Sequence, residues 1–192
     1  MANLVVNADG QAQLLACGAV PALVALAGEG VVKSSAGAMQ YVARAMANFR
    51  VRGDGQAKLL ACSAASALVA LAGEGVVKGS ADAAQYVAWA MANLNISDDG
   101  EAALLPCGAA PALVALAGEG VVKDCAGAAG QVAKVMVNLV ISADGRAELL
   151  ACGAAPALVA LAGEGVVKGS ASAAQQVARA MANLSDSADG QA

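Results

Sequence analysis

The sequence predicts an all-α solenoid of about four 45-residue, three-helix repeats, and three observations carry that reading. The undecapeptide LVALAGEGVVK occurs at 23–33, 68–78, 113–123 and 158–168, each copy 45 residues after the last. A fixed period of that length marks stacked units that cannot bury their apolar faces alone. The same register joins Cys17, Cys62, Cys107 and Cys152, and the Asp-Gly pairs at Asp9, Asp54, Asp99, Asp144 and Asp189. Second, Met39, Val42, Met46 and Phe49 are spaced three, four and three apart, which lays them along one stripe of a helix. Third, the chain is 59% hydrophobic but only 2% aromatic, with 22 glycines in 192 residues, so apolarity is high while bulk is missing. Charged residues at 14% with so much apolar surface exclude a disordered chain.

Each repeat opens with a short helix, Gln11 to Ala16 in the first copy, for which Asp9 is the expected N-cap after a turn ending in Asp-Gly. Gly18, or Ser63 in the second repeat, punctuates the chain. A second helix runs from about Ala19 to Ala27, with Pro21 in its first turn, where a missing amide hydrogen costs nothing. Gly28 reads as its stop, and Gly28 to Lys33 as a loop. Ser35 is then a good N-cap for the third helix, echoed by Ser80 and Ser170 and replaced by Cys125. That helix ends at about Asn48 or Phe49 and carries the apolar stripe, which is assigned to the core.

Residues 1–192 are therefore read as one solenoid, with repeats at about 9–53, 54–98, 99–143 and 144–188 and partial repeats at 1–8 and 189–192. Met1 aligns with Met46, Met91, Met136 and Met181, and neither end carries a polar capping repeat. The expectation is an interior piece of a longer array, or ends that meet neighbours, which leaves end-to-end repeat contacts open.

Composition narrows function by exclusion. Without a single histidine, imidazole-based nucleophile triads, imidazole metal sites and histidine pH switches all fall away. A net charge of −4 offers no basic field for a phosphate backbone, so nucleic acid is not expected as a partner. The uncharged run from Gly10 to Gly28 has the length of a membrane span but is broken by Gln11, Gln13, Gly18 and Pro21, so membrane insertion is not expected either. No basic, apolar and small-residue leader opens the chain, and an intracellular, cytoplasmic location is the expectation. The Asn-x-Ser sequons at Asn95 and Asn183 are attributed to chance.

On the third helix, Gln40, Arg44 and Asn48 stand at i, i+4 and i+8, so they form one polar ridge roughly opposite the apolar stripe. Translation by the period gives Gln85, Trp89 and Asn93, then Gly130, Lys134 and Asn138, then Gln175, Arg179 and Asn183. Stacking equivalent helices about 8–10 Å apart turns these residues into a ladder, beginning at Asn3.

The segment Gly18-Ala-Val-Pro-Ala-Leu-Val-Ala-Leu26, followed by a helix ending Ala-Arg-Ala-Met-Ala-Asn48, resembles the armadillo repeat over the whole chain. HEAT repeats are the nearest rival. The resemblance implies a right-handed superhelix whose third helices line a concave groove, with a period slightly longer than the family's usual one. In importin-alpha-like and beta-catenin-like members the asparagine near the end of the third helix holds the backbone of an extended peptide. An amide suits that task because it both donates and accepts. By this resemblance Asn48, Asn93, Asn138 and Asn183 are the carriers, with Gln40, Gln85 and Gln175 beside them. Trp89 becomes a stacking platform, and Arg44, Lys134 and Arg179 become anchors for carboxylates. The plainer alternative is that each asparagine ends its helix by bonding nearby carbonyls.

The four in-register cysteines are expected as small buried hydrophobes at the start of the second helix, with no disulfide and no metal site. The Val31-Val32 pair and its three equivalents either form an exposed apolar rib or tuck under their own loops, and tucking is the favoured reading. The leading function is a non-catalytic scaffold that binds a protein or an extended peptide and needs no cofactor. The alternative is a structural subunit of a large multiprotein or membrane-protein assembly, held through its edges or ends. Near-identical copies also suggest a consensus-built array, against which the recurrent cysteines, Pro106 and Gly130 argue.

Overall fold

The computed structural model describes residues 8–49 and 53–186. The first repeat consists of α1 (Ala8–Ala16), α2 (Ala19–Gly28), α3 (Gly30–Lys33) and α4 (Ala36–Asn48). The second has α5 (Gly53–Ala61), α6 (Ala64–Gly73), α7 (Gly75–Lys78) and α8 (Ala81–Leu94). The third has α9 (Asp98–Leu104), extended by a 3-10 turn over Leu105–Cys107, then α10 (Ala109–Gly118), α11 (Gly120–Lys123) and α12 (Ala126–Leu139). The fourth has α13 (Ala143–Ala151), α14 (Ala154–Gly163), α15 (Gly165–Lys168) and α16 (Ala171–Ser185). No strand occurs among the described residues.

The long helices α4, α8, α12 and α16 pack side by side in that order, and α2, α6, α10 and α14 form a second row against them. Between the rows lies an alanine-rich core. The stripe of Met39, Val42, Met46 and Phe49 is buried as its spacing predicts, together with Val20, Leu23 and Ala27 from α2. Ser35, Ser80 and Ser170 cap α4, α8 and α16, each accepting from the amide three residues on at 3.3 Å. Cys125 takes that place on α12 and makes no side-chain cap bond.

Two features depart from the sequence reading. Asp9 sits inside the first turn of α1 instead of capping it. The caps seen on α9 and α13 are Ser97 and Ser142, which accept from Gly100 and Gly145. The Gly28 to Lys33 segment holds a single helical turn, α3, repeated as α7, α11 and α15. One turn is not stable on its own. It is held by Val77, Val122 and Val167, which are fully buried, while Val31 of the first repeat stays 82% exposed. The valine pairs of the last three repeats thus tuck through their second member, whereas Val32 of the first is only half-buried. Across the outer junctions Lys33 reaches Glu74 at 3.4 Å and Lys78 reaches Glu119 at 3.9 Å.

Each first helix meets the second at 71–73°, so the apolar run bends sharply, and no single described helix is long and apolar enough to cross a membrane. Gly18, Gly108 and Gly153 make the corner at φ 77°, 82° and 86°, where a side chain is strained. Ser63 makes the same corner at φ 61°. The cysteines sit at this corner, so the expected burial is corrected: Cys17 is exposed, and Cys62, Cys107 and Cys152 only half-buried. A corner residue is covered by core on one flank alone.

After α8, Asn95 is 5% exposed, and among the described residues neither its amide nitrogen nor its amide oxygen finds a partner. Its sequon is closed to a glycan in the folded chain. Position 140, one period later, is a buried valine. Burying an unpaired polar group costs about 1–3 kcal/mol, so Asn95→Val is expected to stabilise the chain by about 1–2 kcal/mol. A thermal melt followed by circular dichroism checks this, and a lower midpoint would contradict it.

Candidate functional site

The ladder residues stand on one side of α4, α8, α12 and α16, but they differ in exposure. Asn48 and Asn93 are 9% and 4% exposed. Asn138 and Asn183 are half-buried, as are Gln40, Gln85, Arg44, Trp89, Gly130 and Lys134, whereas Gln175 and Arg179 are exposed. Asn3 lies outside the described residues.

The asparagines meet the neighbouring repeat. Asn93 Nδ2 donates to the carbonyl oxygen of Ala47 at 3.0 Å, and Asn138 Nδ2 donates to that of Ala92 at 3.4 Å. Both acceptors belong to the last turn of the preceding long helix, where carbonyls have no intrahelical partner. The plainer sequence reading had each asparagine finish its own helix, and here two of them finish the helix one repeat back. A side-chain amide carries two hydrogens. The bond to the neighbouring helix uses one of them at Asn138.

The middle of the row is aromatic and cationic. The Arg44 guanidinium lies over the Tyr86 ring, 5.7 Å from its centroid, and Tyr86 meets Trp89 at 5.9 Å with the rings tilted by 58°. Tyr86 was not among the sequence candidates. Its position three residues before Trp89, on the same helical face, was the signal that could have found it. Lys134 and Arg179 make no ion pair among the described residues. Across all four long helices the sole carboxylate is Asp82, in the first turn of α8.

Between α12 and α16 a polar depression of about 200 Å³ is lined by Gly130, Gln131, Lys134, Ser170, Ser172 and Gln176, among others. Gln131, Ser172 and Gln176 lie off the one-residue-per-turn ladder, and Ser170, expected as a helix cap, also lines this depression. Among the described residues no group of three His, Cys, Asp or Glu could hold a metal ion.

No family model and no curated protein matches the sequence. Solved structures do. An engineered protein superposes with a TM-score of 0.80 at 22% identity, covering 96% of this chain and 71% of its own. A designed armadillo repeat protein gives 0.76 at 21% identity, covering 95% and 72%. A computationally designed armadillo repeat protein, made for modular peptide recognition, gives 0.73 at 22% identity, covering 94% and 70%. At these identities the likeness concerns architecture, and the fold is an armadillo-like solenoid of helical repeats.

Proposed function

We propose that this chain is a non-catalytic scaffold that receives an extended peptide, or an extended segment of a partner protein, along the face of its long helices. One observation carries the reading. Arg44, Trp89, Lys134 and Arg179 come from four successive helices in one row, the first three partly exposed and Arg179 exposed, with a single carboxylate on those helices. Such a row suits a ligand with acidic side chains. Eight extended residues at ~3.3 Å each span ~26 Å, close to the width of four helices packed about 8–10 Å apart. A solved protein of the same architecture was designed for modular peptide recognition, which supports the use of this fold as a peptide receptor.

The test is fluorescence anisotropy with an acetylated, amidated (Glu-Thr)4 peptide and with (Lys-Arg)4 as the charge-inverted control. The acidic peptide is expected to bind in preference. A Lys134→Glu, Arg179→Glu double variant should weaken it by about tenfold, equivalent to about 1.4 kcal/mol. Its melting midpoint should stay within about 2 °C, because surface charges with no partner contribute little to stability. Preference for the basic peptide, or no binding of either, would refute the acidic-ligand reading.

A second reading, a subunit held through its edges or ends, is supported by a different surface. Leu150, Val159 and Met181 are 48%, 59% and 36% exposed and line an apolar depression of about 180 Å³ with Leu158 and Leu184. Exposed apolar patches of this kind mark contact surfaces.

A further inference from the structure

We infer that the depression between α12 and α16 is a pocket for the carboxylate of an acidic side chain, carried by an extended peptide on the long-helix face. The inference rests on that face being the ligand surface, and it adds a specificity site within it.

The pocket exists because of one residue. Position 130 is glycine, whereas the same register holds Gln40, Gln85 and Gln175. A glycine in the middle of a helix lowers stability relative to alanine, so a steric need for it would be the ordinary explanation. No such need is present. A Cβ on Gly130 would lie 3.5 Å from Ala173 Cα and 3.7 Å from its Cβ, which is ordinary contact, and the residue has no positive φ. What the missing side chain leaves is a space of about 200 Å³, several times the ~30 Å³ share of one water molecule.

The lining matches a carboxylate. Lys134 supplies a cation, and Ser172 and Gln176 supply neutral donors. The Ser170 hydroxyl oxygen accepts from the Ala173 amide, which leaves its own hydrogen for a ligand. Neither α12 nor α16 contains an aspartate or glutamate. Ser170 caps the 15-residue α16, so the positive end of that helix also faces the site. Gln131 Oε1 is buried without a partner in the same lining. An acidic residue in an extended chain suits this lining, its carboxylate going to Lys134 and to the Ser170 and Ser172 hydroxyls.

Gly130→Gln, which restores the residue of the other repeats, should fill the pocket, and Gly130→Ala should narrow it. Lys134→Gln removes the cation alone. Three octapeptide probes separate the sources of a carboxylate: amidated (Glu-Thr)4, amidated (Gln-Thr)4, and (Gln-Thr)4 with a free carboxyl terminus. The wild-type chain is expected to bind the first at least tenfold more tightly than either of the others. Gly130→Gln and Lys134→Gln should each remove most of that preference, while the melting midpoint of Gly130→Ala holds or rises. Binding of (Glu-Thr)4 that survives Gly130→Gln unchanged overturns the pocket and leaves the ligand face standing. Equal binding of the free-terminus probe overturns the side-chain assignment. No binding of any probe to the wild-type chain overturns both.

Discussion

Gly100→Ala is expected to cost at least about 3 kcal/mol, at or beyond the usual upper range for overpacking. The Asp-Gly pair reads in the sequence as a turn, yet Gly100 is buried inside α9, pressed against the end of α8. A Cβ there would fall on the carbonyl oxygen of Leu94, and the obstacle is backbone, which cannot rotate aside as a side chain would. Gly55 faces Phe49 and Gly145 faces Leu139 in the same way. To admit a methyl group, α9 would have to leave the end of α8. That movement would also break the polar clip between them, in which Gln56 Nε2 donates to the Leu94 carbonyl and to Ser97 Oγ, both at 2.9 Å. Gln11 makes the corresponding bond to the Phe49 carbonyl at 2.9 Å, and at the next junction Ser142 donates to Glu101. The control is Gly118→Ala, where no atom lies within 4 Å of the added Cβ and stability should change by less than about 1 kcal/mol. Denaturant melts of the two variants settle the contrast, and equal midpoints would mean that the close approach of helix to helix is not what demands glycine.

That glycine shows where the sequence could be read and where it could not. Periodicity revealed the repeat, the apolar stripe of α4 and the serine caps, because each depends on local spacing or on one side chain bonding its own helix. The demand on Gly100 comes from a helix of the preceding repeat, so no local pattern announces it. The same holds for α7, α11 and α15, single turns that form because Val77, Val122 and Val167 are buried by tertiary contact. Cysteine burial was misread because a corner residue follows the bend between helices more than its own apolar character. In the site, the row itself followed from the period, whereas Tyr86 beneath Arg44 and the pocket opened by Gly130 required neighbouring helices to be set side by side. Stacking partners one repeat away are set by three-dimensional offset, which a 45-residue spacing does not specify.

Asn93→Ala is expected to lower stability by about 2 kcal/mol, within the range for leaving a buried hydrogen-bonding group unsatisfied, and Asn183→Ala by less than about 0.5 kcal/mol, as at surface positions. Asn93 is 4% exposed and donates to Ala47 at 3.0 Å, whereas Asn183 is half-buried in the last described long helix. For a chain of this size 1 kcal/mol moves the midpoint by about 2–4 °C, so thermal melts resolve the difference. Asn93→Asp should cost more than the alanine variant. It keeps the shape but removes both amide hydrogens and turns a carboxylate toward a carbonyl oxygen. The pair of asparagines separates two roles that a ladder of identical residues otherwise merges. If Asn93→Ala costs as expected, the interior asparagines stitch one long helix to the next, and any loss of peptide binding in that variant reports on both roles at once. Asn183→Ala then becomes the informative variant, since it can lose ligand without losing the fold. A negligible cost at Asn93 would reverse the argument, because the bond to the Ala47 carbonyl would then not be what joins one long helix to the next.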